Sequence, residues 1–132
     1  MRTGGNPCNH GSQERYTPLF TSFSNDAGKT WDLLKPIYKY GVWPRLINTS
    51  DGKIICLSGR PGVFMLISED RGSTWSEPYV ITDYDFDWGK CSSGYSSIGE
   101  IEPGIIAVIY DDVINENGNV KNVTKMRKYK LK

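Results

Sequence analysis

Two segments of this chain, Ser24-Asn25-Asp26-Ala27-Gly28-Lys29-Thr30-Trp31 and Ser68-Glu69-Asp70-Arg71-Gly72-Ser73-Thr74-Trp75, both read Ser-x-Asp-x-Gly-x-Thr-Trp at an offset of 44 residues. A repeat at fixed spacing marks one supersecondary unit used more than once, so it restricts the fold before any other signal is weighed. Each shared residue suits a tight turn between two strands. The Ser and Asp side chains accept backbone N–H groups inside the turn, and Gly takes the positive φ that other residues avoid. Thr fits the outgoing strand, and Trp is expected to pack beneath the hairpin. The motif reads as a structural clasp rather than a catalytic device. Its members are Ser24, Asp26, Gly28, Thr30 and Trp31 in the first copy and Ser68, Asp70, Gly72, Thr74 and Trp75 in the second.

A 44-residue period matches one four-stranded β-propeller blade, and the 132 residues hold three such periods. Closed propellers use about four to eight blades. Three readings follow: part of a longer propeller, a half that pairs with another copy, or an open β fold. The chain is expected to begin in mid-blade, which favours the longer parent and missing N-terminal blades. Short strand-like runs at 19–24, 45–48, 53–58, 63–68, 79–82, 94–100, 105–110 and 123–131 alternate with Gly-, Pro- and Asn-rich turns. Helical periodicity is almost absent. The continuous apolar run 105–110 predicts a strand buried on both faces.

The balance of 16 basic and 15 acidic side chains leaves a net charge of +1, so bulk charge gives no argument for nucleic acid or a membrane surface. No apolar stretch approaches a membrane span, and the N-terminus lacks the apolar core of a signal peptide; a secreted or periplasmic parent stays open. Cys8, Cys56 and Cys91 are odd in number and show no CxxC spacing, so neither a disulfide framework nor a zinc site is indicated, and no cofactor is expected. Cys56 reads as a small core residue. Cys8 with His10 is a weak metal pair. Asp83, Asp85 and Asp87 could line a calcium loop, against the simpler reading of a solvated loop with buried aromatics. Trp43 and Pro44 could stack on a sugar, against the simpler reading of core packing.

The repeated motif resembles the Asp-box of the sialidase (neuraminidase) family, where it lies on the propeller rim away from the active site. Met1-Arg2-Thr3-Gly4-Gly5, Gly59-Arg60-Pro61-Gly62-Val63, Gly94-Tyr95-Ser96-Ser97-Ile98 and Gly104-Ile105-Ile106-Ala107-Val108-Ile109-Tyr110-Asp111 are similar, in this order, to the C-terminal half of that family. The resemblance implies an all-β fold: one partial domain over residues 1–132, of about three four-stranded blades, within a six-bladed propeller. It implies removal of terminal sialic acid by an exo-glycoside hydrolase through a retaining, tyrosine-nucleophile mechanism. Tyr95 would be the nucleophile, and Arg2 and Arg60 would bind the substrate carboxylate. A neutral phenol avoids the repulsion that a carboxylate nucleophile would meet from an anionic sugar, and the planar guanidinium fork binds a carboxylate bidentately. The implied partner is a sialylated or other acidic glycan.

That family's first arginine, general acid and activating glutamate would all precede Met1, so the chain alone lacks a complete set. Glu14 and Glu100 stand in the wrong order to replace the base. Arg60 could equally hold a turn, Tyr95 could be a core tyrosine, and Arg2 sits at a terminus. The alternative from another class is a non-catalytic Asp-box propeller that binds carbohydrate or protein, or self-associates to complete a ring.

Overall fold

Turn residues cut the chain into short antiparallel strands, and the computed structural model describes residues 18–60, 62–83 and 95–131. Nine strands are present among them: β1 (Leu19–Thr21), β2 (Lys35–Tyr38), β3 (Val42–Asn48), β4 (Ile54–Gly59), β5 (Val63–Ser68), β6 (Tyr79–Thr82), β7 (Ser96–Glu102), β8 (Ile105–Glu116) and β9 (Asn119–Lys130). They form three small antiparallel sheets, β1-β2, β3-β4-β5-β6 and β7-β8-β9, and no closed barrel. The all-β expectation holds. Three sheets of four strands do not, because among the described residues only the middle sheet has four.

The repeat extends beyond the clasp into the strands. Leu19 and Val63 begin β1 and β5, and Lys35 and Tyr79 begin β2 and β6, each pair 44 residues apart. Each clasp sits between the two strands of such a pair. The strand β2 escapes the sequence reading because Lys-Pro-Ile-Tyr lacks an alternating pattern and both its first residues are exposed. The outgoing strand also starts four residues after each clasp Trp, so Thr30 and Thr74 belong to the turn and not to the strand.

The middle sheet lies between the other two. From β4, Ile55 and Leu57 join Val63, Met65, Ile81, Ile106, Val108 and Tyr110 in a core shared with the β7-β8-β9 sheet. From the opposite face, Cys56 joins Leu19, Phe64 and Leu66 in a second core shared with the β1-β2 sheet. Period-two alternation thus places both halves of β4 in apolar surroundings, and every residue from Ile55 to Gly59 is buried. Burial pushes the Cys56 thiol up to about 12, which suits a small core residue.

The expectation for 105–110 needs correction. In β8, Ile106, Val108 and Tyr110 are buried against the middle sheet, whereas Ile109 on the other face is exposed. Among the described residues that sheet packs on one side only, so it is β4 and not β8 that is buried on both faces.

The strand ends define two rims. Both clasps, the Thr49–Lys53 turn and the turn before Gly104 lie at one end, and the first residues of β1, β3, β5 and β7 lie at the other. At this second rim β8 and β9 overrun their neighbours as a hairpin paired from Asp111↔Thr124 to Glu116↔Asn119. Six residues of extended chain give an arm of about 20 Å. Its base is anchored by Asp112, which accepts from Thr82 Oγ1 at 2.9 Å and from Lys125 Nζ at 2.7 Å. Burial pushes the Asp112 carboxyl up, but the hydrogen bonds from Lys125 and Thr82 outweigh it and hold it below the usual carboxylate range.

Candidate functional site

The two clasps have the same internal hydrogen bonds. The N–H of Gly28 donates to Ser24 Oγ and that of Gly72 to Ser68 Oγ, both at 2.7 Å. Asp26 Oδ1 accepts from the N–H of Thr30, and Asp70 Oδ1 from that of Thr74, both at 2.8 Å. The threonine hydroxyls donate to the second carboxylate oxygens at 2.7 and 2.6 Å, and the serine hydroxyls donate to Oδ1 at 2.9 and 2.8 Å. Each Trp Nε1–H closes on its Gly carbonyl at 3.1 Å. Both carboxyls are held down at about 2, Asp26 first by the Thr30 backbone N–H and Asp70 first by the Thr74 hydroxyl. The carboxylate oxygens are thus spent on the turn itself and are poorly placed to act as an acid or base near neutral pH.

Trp31 departs from the expected packing. It is 65% exposed, while Trp75 is half-buried against the core that the middle sheet shares with the β1-β2 sheet. Both indoles share the Nε1 bond, so neighbouring sheets and not the turn decide whether the ring is covered.

Glu100 also belongs to the clasp rim. It accepts from the Gly104 N–H at 2.8 Å and from the Ser50 N–H and hydroxyl at 2.7 and 2.8 Å. Those bonds, the one from Gly104 first, keep its carboxyl below the usual range. It ties the β3-β4 turn to the β7-β8 turn, which is a structural task remote from Tyr95.

The opposite rim gathers the residues with chemical potential. Tyr95, immediately before β7, is 58% exposed, and its ring lies 5.6 Å from that of Trp43 with 44° between the planes. Trp43 comes from the irregular stretch between the Val42↔Gly59 and Arg45↔Leu57 pairs, where β3 bulges. It is 40% exposed, so core packing does not describe it. Its φ of 51° is rare for a bulky side chain, and such backbone conformations are concentrated at functional sites. Arg60 follows β4 at the same rim with φ 64°, and its N–H donates to the Gly62 carbonyl at 2.9 Å. Its side chain is 5% exposed, so it lies beneath the surface and does not present an open fork to solvent.

Asp83, past β6, is exposed at this rim. Arg2, Cys8, His10, Glu14, Asp85, Asp87 and Cys91 lie outside the described residues. Among the described residues no group of three or more His, Cys, Asp or Glu side chains could hold a metal ion. A small cavity of about 30 Å³ opens between the first two sheets, lined by Tyr38, Tyr40, Phe64 and Asp83 among others. That is room for roughly one water.

No family model and no curated protein matches the chain. Two solved structures do, both of ulvan lyase from a polysaccharide lyase family, PL25. One, bound to -[GlcA(1-4)Rha3S]-, superposes with a TM-score of 0.63 at 19% identity over 91% of this chain and 30% of the lyase. The other gives a TM-score of 0.53 at 21% identity over 70% of this chain and 22% of the lyase. This chain thus spans less than a third of the length of either. At these identities the likeness shows a shared fold and nothing of the reaction. The two solved structures it resembles are polysaccharide lyases, which overturns the sialidase resemblance and, with it, the reading of sialic acid removal by a glycoside hydrolase. The physical reason lies in the motif: every bond of the Ser-x-Asp-x-Gly-x-Thr-Trp clasp is internal to a turn, so it specifies a hairpin and carries no information about a substrate.

Proposed function

We propose that the chain is a segment of a β-propeller whose strand-end rim, opposite the clasps, binds an acidic polysaccharide. The observation that carries this reading is the Trp43–Tyr95 pair: two exposed aromatic rings from different sheets, held together over an irregular strand end. Aromatic faces complement the C–H faces of a sugar ring, and two tilted rings side by side accommodate successive residues of a polymer better than an isolated one. Arg60 contributes a fixed positive charge from below the rim, and Lys39, just past β2, and Arg45, on β3 beyond Trp43, are exposed cations. Carboxylate or sulfate groups are the natural complement of guanidinium forks. The likeness to lyases, one of them bound to an acidic oligosaccharide, supports a carbohydrate partner for this fold. The 44-residue spacing of strands and clasps supports the propeller arrangement.

The test is calorimetric titration of the purified chain with a sulfated, uronic-acid-containing oligosaccharide, beside a neutral one of equal length. Trp43→Ala and Tyr95→Ala are each expected to weaken binding of the acidic ligand about tenfold, equivalent to about 1.4 kcal/mol. Affinity should fall as salt is raised. Equal affinity for the neutral ligand, or binding indifferent to both substitutions, would refute the reading. Assay of the same samples for shortening of the polymer separates binding from degradation.

A further inference from the structure

The repeat allows each exposed position in the first sheet to be compared with its counterpart 44 residues later. Phe20 is 42% exposed, whereas its counterpart Phe64 is 3% exposed because the β1-β2 sheet covers it. Trp31 stands open where Trp75 is half-buried against the second core. Above Gly72 the ring of Phe23 approaches so closely that a Cβ there would stand 3.1 Å from its Cζ. Above Gly28, among the described residues, a Cβ would meet only Trp31 of its own clasp, at 3.8 Å. Lys35 Nζ completes the filled contact by donating to the Ser73 carbonyl at 2.9 Å, and the counterpart of Ser73 is Lys29. The outer face of the β1-β2 sheet therefore repeats the surface on which that sheet itself sits, with its aromatic socket open.

The other end of the stack exposes a sheet face of complementary character. Ile109 and Met126 are register partners on the outer face of the β7-β8-β9 sheet, and both are exposed, as is Ile101 on β7. Lys128 and Lys130 follow Met126 at every second position, on the same outer face of β9, and are exposed too. We propose that the outer face of the β1-β2 sheet is a docking surface for a second copy of this chain, bound head to tail through the outer face of that copy's β7-β8-β9 sheet. Ile109 and Met126 cover Phe20 and Trp31, and Lys128 or Lys130 reaches the Lys29 carbonyl as Lys35 reaches Ser73. This stacking continues the order of the three sheets in one direction. It is heterologous, so it closes into a ring or propagates as a filament according to the angle between copies.

The test is sedimentation velocity over a wide concentration range, on the wild-type chain, on Trp31→Asp, on Ile109→Asp and on a mixture of the two variants. The two altered residues are exposed, and near-native circular dichroism checks that each variant folds. The wild type is expected to form assemblies that grow with concentration, and each variant alone to be monomeric. The mixture is expected to give a one-to-one dimer, because each variant keeps the face the other has lost. A wild-type monomer at every concentration overturns the proposal. So does a mixture that stays monomeric, or association lost with only one of the two variants, which is the mark of a face pairing with itself.

Discussion

At the scale of single residues, the two clasp glycines occupy the same backbone conformation, with φ of 86° at Gly28 and 88° at Gly72, in different surroundings. A side chain in the left-handed region costs about 1–2 kcal/mol. Gly28→Ala is expected to lose about that much stability, since among the described residues the added methyl makes only an ordinary contact with Trp31. Gly72→Ala is expected to lose more, because its methyl presses on Phe23. Urea denaturation of both variants measures the difference, and equal losses would contradict a socket specific to the second clasp. All five identities of the clasp were legible from residue types, because Ser, Asp and Gly have few other reasons to recur at such spacing. The pairing of Trp43 with Tyr95 was not. Residues 52 positions apart, they meet only through the packing of β3 against β7, for which no periodic pattern stands in the chain.

At the scale of elements, each clasp hairpin depends on one carboxylate. Asp26 and Asp70 are lowered to about 2 from 3.8. A depressed folded pKa binds protons less readily than the unfolded chain, so its contribution is complete above about pH 4 and is lost as pH falls toward 2. The chain is expected to keep level stability down to about pH 4 and then to weaken as both clasps protonate. The Asp26→Asn/Asp70→Asn double variant should be less stable at neutral pH and should lose less on acidification. Thermal unfolding followed from pH 7 to pH 2 tests this, and parallel curves for variant and wild type would count against it. Strand boundaries were legible where a short apolar or β-branched run is closed off by turn residues, as in β5 and β6, whose limits match the sequence reading at both ends. They were lost in the β8-β9 arm. There Asp111, Asp112, Asn115 and Asn122 read as loop, and the pairing is carried by backbone bonds and by the Asp112 bridge to Thr82 and Lys125.

At the scale of the whole molecule, the middle sheet holds the other two, and Leu57 is fully buried in the core that joins it to the third. Leu57→Ala is expected to cost about 2–5 kcal/mol by lost transfer energy and the cavity left behind. Hydrogen exchange should accelerate in β7 and β8 as well as β4, whereas acceleration confined to β4 would mean that the sheets are not cooperatively joined. By itself the sequence determined the all-β class, the 44-residue unit and the clasp chemistry. These depend on local backbone preference and on bonds between residues at most a few positions apart, which residue identity encodes directly. Only the tertiary structure decided which sheet faces are covered, that the aromatic pair meets at the rim opposite the clasps, and that Arg60 lies beneath it. The family suggested by the clasp did not survive, because a turn motif is reused wherever two strands need closing. Those outcomes depend on contacts between sheets, and the same Phe or Trp in the same repeat position is buried or bare according to whether a neighbouring sheet stands over it.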